Sequence, residues 1–118
     1  MENIKLYATR SGQNLGEAIA IHLSLPLNLT QAEKFSDGEL FVKFNESVRG
    51  KVVLLIVKIH TPYENFFELL MTIDAARRSC AKEVILIIPY LPHSRQERRD
   101  GQRTSISSRM IADMIQLM

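Results

Sequence analysis

Two short apolar runs constrain the fold of this chain most strongly. One covers residues 52–59 and the other residues 84–88, and both are rich in branched aliphatic side chains. Such runs are typical of strands covered on both faces, as in parallel sheets that lie between layers of helices. The second run is closed by Pro89, which has no N–H to donate to a neighbouring strand. The sequence therefore predicts two buried parallel strands.

The segment between these runs has the spacing of an amphipathic helix. Its apolar positions recur every three or four residues, and they predict a helix over about residues 64–79. These positions are Phe66, Leu69, Leu70, Ile73 and Ala76. Two arginines near the end of this segment favour the helix macrodipole. A helix between two parallel strands is the usual crossover in an α/β fold.

The remaining segments extend the same alternation. Strands are expected at residues 4–8 and 27–30, and a hairpin strand at residues 40–44. Asn14 and Glu17 resemble a capping box for the first helix, and the last helix is expected from about Ser105, capped by Ser105 or Ser107. The order β-α-β-(hairpin)-β-α-β-α predicts an α/β fold, with a mostly parallel sheet and helices on both faces. The 118 residues fit one domain, although no strand follows the last helix and the domain is expected to be truncated before it is complete.

An arginine-rich segment follows the second apolar run. Residues 94–103 contain four arginines with Glu97 and Asp100, so this segment holds all of the formal net charge of +2. The carboxyl end of a buried strand is where open α/β sheets place their ligands. Guanidinium groups can donate two parallel hydrogen bonds to phosphate oxygens. The segment predicts a polyphosphate or nucleotide ligand, and a solvated charged loop is the alternative.

Four motifs in register resemble the N-terminal domain of ribose-phosphate pyrophosphokinase (phosphoribosyl pyrophosphate synthetase) over essentially the whole chain. They lie at residues 35–39, 46–50, 68–75 and 89–96. The resemblance implies two similar domains of the type I phosphoribosyltransferase kind, with residues 1–118 as an incomplete N-terminal nucleotide-binding domain. It also implies transfer of the diphosphoryl group of ATP to the anomeric hydroxyl of ribose 5-phosphate, giving phosphoribosyl pyrophosphate and AMP in nucleotide biosynthesis.

The resemblance implies further partners that this chain would not bind alone. Magnesium bridges the phosphates in the family, and its ligands, the ribose 5-phosphate site and the catalytic residues are expected beyond this chain. No catalytic or metal-binding residue is therefore assigned here, and the isolated chain is expected to be inactive. Family members commonly form hexamers, so a homo-oligomer is expected. The single cysteine, and the lack of a signal-peptide pattern or long apolar span, favour a cytoplasmic protein with no membrane partner.

The resemblance also assigns roles to individual residues. Arg95 and Gln96 would contact ATP within their own subunit, and Asp100 and Arg103 in the same loop would help to hold the nucleotide. Three would reach the ATP site of a neighbouring subunit, where a phenyl ring stacks on adenine and carboxylates accept from its amino group: Phe35, Asp37 and Glu39. Two lie at positions near the family's regulatory phosphate or ADP site: Ser47 and Arg49.

Several positions depart from the family pattern. His93 and Ser94 stand where tyrosine and alanine are usual, and Ser105 and Ser108 replace a common proline and alanine. Cys80 occupies the position of a serine that often belongs to the regulatory phosphate site, which puts phosphate control in doubt. From the residues alone, Cys80 is expected to be a small packing residue near a helix end.

Four alternatives stay open. Residues 35–39 could form an ordinary hairpin turn with Phe35 packed on the core, and Ser47 and Arg49 could simply close a turn. The chain could be a non-catalytic regulatory homologue that assembles with active synthetase subunits. It could also bind nucleic acid through the arginine segment, although only Tyr90 supplies an aromatic ring nearby and a basic, aromatic-interleaved surface is expected for that function.

Overall fold

A four-stranded parallel sheet organises the computed structural model, which describes residues 3–60, 62–89, 101, 103 and 105–118. The strands are β1 (Ile4–Ala8), β2 (Leu27–Leu29), β3 (Gln31–Lys34), β4 (Leu40–Lys43), β5 (Val52–Ile56) and β6 (Glu83–Ile87). Four of them form the sheet, in the order β2-β1-β5-β6, and a separate antiparallel hairpin is formed by β3 and β4. The helices are α1 (Gln13–Leu23), α2 (Glu64–Arg78) and α3 (Ser107–Leu117), with a 3-10 turn at Arg10–Gly12.

Helices cover both faces of the sheet, as predicted. Successive side chains of a strand point to opposite faces, and β1 shows this division clearly. Leu6 and Ala8 pack with Ala20 of α1 on one face. On the other face, Tyr7 belongs to a second cluster, together with residues of α2 and α3 such as Phe66 and Ile111. The predicted α/β fold with a mostly parallel sheet is therefore confirmed.

The prediction that the second apolar run is fully buried is wrong. β5 pairs with both β1 and β6 and is a central strand. β6 pairs only with β5 among the described residues, so it lies at an edge of the sheet. As a result Val84 is only half-buried and Ile85 is exposed. The run of apolar residues indicated a strand correctly, but it did not distinguish a central strand from an edge strand.

The predicted helix caps are also wrong. α1 begins at Gln13, directly after the 3-10 turn, so Asn14 lies inside the helix rather than at its cap. The Glu17 carboxylate accepts a hydrogen bond from the side chain of Gln13 instead (3.2 Å). At α3 the cap position is Ile106 and no side chain caps the helix. The hydroxyl groups of Ser105 and Ser107 are hydrogen-bonded to each other at 2.8 Å.

The 3-10 turn packs very closely on the end of β5. A Cβ atom added at Gly12 would lie 2.3 Å from the carbonyl oxygen of Ile56, which is far inside van der Waals contact. The amide of Thr9 donates to the same carbonyl oxygen at 3.1 Å. Glycine at position 12 thus allows the segment after β1 to cross the carboxyl edge of the sheet. None of the helices within the described ranges is long and apolar enough to cross a membrane.

Candidate nucleotide-binding hairpin and neighbouring sites

Residues 35–39 form a tight loop between β3 and β4, named here the hairpin loop. The amide of Phe35 donates to the carbonyl oxygen of Glu39 (2.8 Å), and the amide of Gly38 donates to the carbonyl oxygen of Phe35 (2.9 Å). The Oδ1 atom of Asp37 accepts from the amide of Glu39 at 2.9 Å. Gly38 has φ of +94°, a conformation that glycine adopts without steric penalty. The loop thus holds Phe35, Asp37 and Glu39 together on a defined backbone.

The side chains of the hairpin loop are directed away from the core. Phe35 is 55% exposed, and its ring packs against Phe41, with ring centroids 5.7 Å apart and planes tilted by 48°. Phe41 is itself 39% exposed, so the two rings form a small aromatic surface. Asp37 and Glu39 are exposed. The alternative in which Phe35 packs on the core is therefore wrong, and the turn leaves one aromatic ring and two carboxylates available to an external ligand.

A network of four charged side chains joins the hairpin to the sheet; it is named here the α2 ion-pair network. Glu68 of α2 is only 1% exposed. Its Oε2 atom accepts from the backbone amide of Arg10 (2.9 Å), and its Oε1 atom accepts from Nε of Arg10 (2.7 Å). Nη2 of Arg10 also lies 2.7 Å from Glu68 Oε1 and 3.9 Å from Glu64 Oε2. Lys34, the residue before the hairpin loop, completes the network through Nζ, 2.8 Å from Glu64 Oε1.

The sequence interpretation assigned no role to these four residues. A signal was nevertheless present, since Glu68 falls between Phe66 and Leu69, two residues of the apolar stripe of α2. A carboxylate buried on a core face needs a cation and hydrogen-bond donors. Arg10 is the cation, and it begins the 3-10 turn two residues after the end of β1. That pairing joins residues 58 positions apart, which helical periodicity does not reveal.

Ser47 and Arg49 lie at the opposite edge of the sheet, just before β5. Both are exposed, and the amide of Arg49 donates to Oγ of Ser47 at 3.4 Å. Val48 between them is fully buried and fixes the turn to the core. The amide of Gly50, with φ of +70°, donates to the carbonyl oxygen of Cys80 at 2.9 Å. The structure thus brings Cys80 to the turn that carries Ser47 and Arg49.

Cys80 itself differs from the expectation for a packing residue. It is a free, exposed thiol that follows α2, and its φ is +62°. Its backbone accepts the hydrogen bond from Gly50, so the structural contribution of this residue comes from its carbonyl oxygen rather than its side chain.

A buried tyrosine of β1 packs against the chain segment just before the turn at Ser47 and Arg49. Tyr7 is 1% exposed and packs edge-on against Phe44, with ring centroids 4.9 Å apart. Its hydroxyl group has no hydrogen-bond partner among the described residues. Burial raises the pKa of Tyr7 above its usual value, and the negative charge of Glu46 adds to the rise. Glu46 also lies 3.7 Å from Nζ of Lys5.

The arginine segment is described only in part. Arg95, Gln96 and Asp100 lie outside the described residues, and so do His93 and Ser94. Arg103 is described: it is exposed and has φ of +62°. β6, which precedes this segment, ends at Ile87 at the carboxyl edge of the sheet, where the carbonyl oxygen of Ile87 accepts from the amide of Val57 (3.2 Å). The same edge carries Arg10 and the start of α2.

Metal-binding side chains are not grouped within the described part of the chain. No cluster of three His, Cys, Asp or Glu side chains that could hold a metal ion occurs among those residues. Glu64 and Glu68, one helical turn apart on α2, are paired with Lys34 and Arg10. No Mg²⁺ ligand is therefore assigned to them.

Comparisons with known proteins agree on one family. Residues 4–118 match the family described as the N-terminal domain of ribose phosphate pyrophosphokinase. The ribose-phosphate pyrophosphokinase of Aquifex aeolicus is 43% identical over 117 residues, which is 98% of this chain and 38% of that protein. That of Chlorobaculum tepidum is 40% identical over 112 residues, 95% of this chain and 35% of that protein.

A solved structure agrees as well. The crystal structure of phosphoribosylpyrophosphate synthetase from Mycobacterium smegmatis superposes with a TM-score of 0.90 at 34% identity, and the match covers 98% of this chain and 39% of that one. The chain therefore spans between a third and two fifths of the length of these relatives.

Proposed function

Because this chain belongs to the ribose-phosphate pyrophosphokinase family, we propose that it supplies the nucleotide-binding part of a ribose-phosphate diphosphokinase. The reaction joins the anomeric oxygen of ribose 5-phosphate to the β-phosphorus of ATP and breaks the bond between the α- and β-phosphates, with AMP as the leaving group. Phosphoryl transfers of this kind depend mainly on positioning and on stabilising the phosphate charge. The residues of this chain would serve the positioning of ATP.

The hairpin loop is the observation that carries this proposal. Adenine offers a flat π face and an exocyclic amine that donates hydrogen bonds. The exposed ring of Phe35 can stack on the base, and the carboxylates of Asp37 and Glu39 are strong acceptors for the amine. Asp37 uses Oδ1 within the loop, which leaves its second carboxylate oxygen for the ligand. Because these three side chains are exposed, a ligand that contacts them would lie outside the domain, as expected for a site completed by a neighbouring subunit.

The phosphates would be held by the arginine segment. Arginine keeps its charge at all physiological pH values and matches phosphate geometry. Arg95 and Gln96 are proposed to contact ATP directly, and Asp100 and Arg103 to hold the nucleotide from the same segment. The end of β6, seven residues before this segment, lies at the carboxyl edge of the sheet and supports the assignment, because open α/β sheets bind ligands there. Magnesium would accompany the phosphates. Its ligands and the site for ribose 5-phosphate would both lie beyond this chain.

The turn at the opposite edge is proposed as a site for regulatory phosphate or ADP. Ser47 supplies a hydroxyl group and Arg49 an exposed guanidinium, and the backbone of Cys80 is hydrogen-bonded to the same turn. A thiol donates weaker hydrogen bonds than a hydroxyl group. We therefore propose that this site binds phosphate less tightly than a site with serine at position 80. We also propose that the protein is cytoplasmic and forms a homo-oligomer.

The adenine role of the hairpin loop is tested in a chimaeric enzyme in which residues 4–118 replace the matched segment of the Aquifex aeolicus relative. Phe35→Ala is expected to raise the KM for ATP about tenfold, because stacking of one base on an aromatic ring contributes roughly 1–3 kcal/mol. Phe67→Ala on α2 is the matched control, since Phe67 is 57% exposed. Steady-state kinetics with both substrates varied separates ATP from ribose 5-phosphate.

Three measurements distinguish the candidate functions. A KM for ATP that is unchanged by Phe35→Ala would refute the adenine role. The regulatory homologue would be favoured if the 118-residue chain assembles with active synthetase subunits and the mixed assembly uses ATP as the active subunits do alone. Binding of single-stranded DNA that weakens steeply with salt would favour the nucleic-acid alternative.

A further inference from the structure

The α2 ion-pair network is not used by the proposed chemistry, and it connects directly to the hairpin loop. Lys34 is the last residue of β3, so its side chain is one residue away from Phe35. Its ammonium group contacts Glu64 in the first turn of α2, and Glu64 lies beside Arg10, which is bound to the buried Glu68. A continuous series of charged contacts therefore runs from the hairpin loop to the interior of the domain.

The hairpin needs such a connection because it stands apart from the main sheet. β3 and β4 pair only with each other within the described residues. An isolated two-stranded hairpin is marginally stable in water, and its orientation depends on tertiary contacts. Packing between β4 and α2 supplies one such contact, and the pair between Lys34 and Glu64 supplies a second, on the other strand. The two contacts together fix the hairpin against α2.

The two ends of the network differ in character. At the inner end, the Glu68 carboxylate receives three donor groups from Arg10 at 2.7–2.9 Å, which determines the position of the guanidinium. At the outer end, Lys34 and Glu64 are partly exposed, and exposed pairs contribute little to global stability. An exposed pair attached to a fixed inner pair is suited to orienting a segment rather than to stabilising the whole domain.

The contacts of Arg10 argue against the main alternative role for this residue, which is to bind a phosphate group. Arg10 lies at the carboxyl edge of the sheet, where a phosphate-binding arginine would be expected. Its guanidinium, however, faces two carboxylates, Glu68 and Glu64. The four side chains of the network carry two positive and two negative charges, so no net positive charge remains to attract an anion.

We propose that the α2 ion-pair network is a positioning device for the hairpin loop, and that Lys34 and Glu64 are positioning residues for the adenine contact. The consequence for ATP rests on the function proposed above. The consequence for the hairpin itself does not, because it follows from the contacts alone. The two can therefore be tested separately.

The first test measures hydrogen–deuterium exchange on the 118-residue chain. Lys34→Met removes the ammonium group and keeps an unbranched side chain, and it is expected to speed exchange of the hairpin amides about two- to fivefold, the effect of losing one exposed ion pair. Amides of β1 and β5 should be unaffected. Lys43→Met is the matched control, because Lys43 lies on β4 of the same hairpin and has no ion pair among the described residues. Equal exchange in the hairpins of the two variants would overturn the proposal.

The second test measures kinetics in the chimaeric enzyme. Lys34→Met and Glu64→Gln are each expected to raise the KM for ATP about threefold with kcat within a factor of two, and the double variant should be no worse than either single variant. Lys34→Arg should retain the wild-type KM, since the guanidinium can still reach the carboxylate. Additive effects in the double variant, or a kcat that falls with an unchanged KM, would contradict a positioning role.

The outcomes separate this inference from the proposed function. If Phe35→Ala raises the KM for ATP and Lys34→Met does not, the adenine role stands and the positioning role is refuted. If Phe35→Ala leaves the KM unchanged, the adenine role is refuted, and the exchange experiment still decides whether the network orients the hairpin.

Discussion

Replacement of Arg10 by leucine is the most informative perturbation of this fold. Arg10 supplies two side-chain donors, Nε and Nη2, to the carboxylate of Glu68, which is almost completely buried. Removing one partner of a buried ion pair costs roughly 3–5 kcal/mol, because the other charge stays buried without compensation. Arg10 is itself 48% exposed, and the backbone amide of residue 10 remains a donor to Glu68. The lower end of this range applies, and a loss of about 3 kcal/mol is expected.

Urea denaturation of the 118-residue chain measures this loss. With an m-value of about 2 kcal/mol per M, the midpoint should fall by about 1.5 M, and the melting temperature by about 12 °C. Arg78→Leu is the matched control: Nε of Arg78 lies 2.8 Å from Oδ2 of Asp74, but the side chains are 80% and 45% exposed. This exposed pair should contribute no more than about 0.5 kcal/mol.

A comparison of the two variants decides whether burial determines the strength of the pair. If Arg10→Leu and Arg78→Leu cost the same within about 0.5 kcal/mol, the reasoning from burial is refuted. If Arg10→Leu is too unstable to fold, Arg10→Lys keeps the charge but loses the two guanidinium donors that reach Glu68 Oε1. About half of the loss is then expected, and wild-type stability in that variant would refute the argument as well.

Two further predictions concern close packing and the buried phenol. Gly12→Ala should cost about 2 kcal/mol or more in urea denaturation, because its Cβ atom would meet the Ile56 carbonyl. Gly38→Ala has open space but φ of +94° and should cost only about 1 kcal/mol; equal losses would contradict the steric argument. Tyr7→Phe should leave stability at pH 7 unchanged or raise it by up to about 1 kcal/mol, since the buried hydroxyl has no partner among the described residues. Because the folded state raises the pKa of Tyr7, the unfolded chain releases this proton first, so wild-type stability should fall as pH rises above about 10. Tyr7→Phe should reduce that fall, and an identical alkaline pH profile in the two proteins would show that Tyr7 is not its source.

The sequence predicted the architecture well because the fold depends on local periodicity. β1 was predicted with its observed bounds, and the spacing of apolar residues in α2 located that helix to within one residue at its end. The caps of α1 and α3 were predicted wrongly. For α1 the reason is that the preceding 3-10 turn depends on its contact with Ile56 rather than on local capping residues. The exposure of Ile85 was not predicted either, because it depends on the position of β6 at an edge of the sheet, which the local sequence does not indicate.

The candidate sites were predicted less completely than the fold. The resemblance to the family located the hairpin loop and the turn at Ser47 and Arg49, and these are surface features whose backbone the structure describes. It did not locate Arg10, Lys34 or Glu64, because a contact between residues distant in the chain leaves no periodic pattern. The nucleotide contacts of Arg95, Gln96 and Asp100 stay predictions, since these residues lie outside the described part of the chain.

Helix α2 connects two of the candidate sites, because each of its ends contacts one of them. Its first turn holds Lys34 through Glu64, and the turn directly after it, at Cys80, is hydrogen-bonded to Gly50. A helix of 15 residues is about 22 Å long and resists compression along its axis. We therefore expect an axial displacement at one end of α2 to be felt at the other, so that movements of the hairpin loop along this axis are coupled to those of the turn at Ser47 and Arg49.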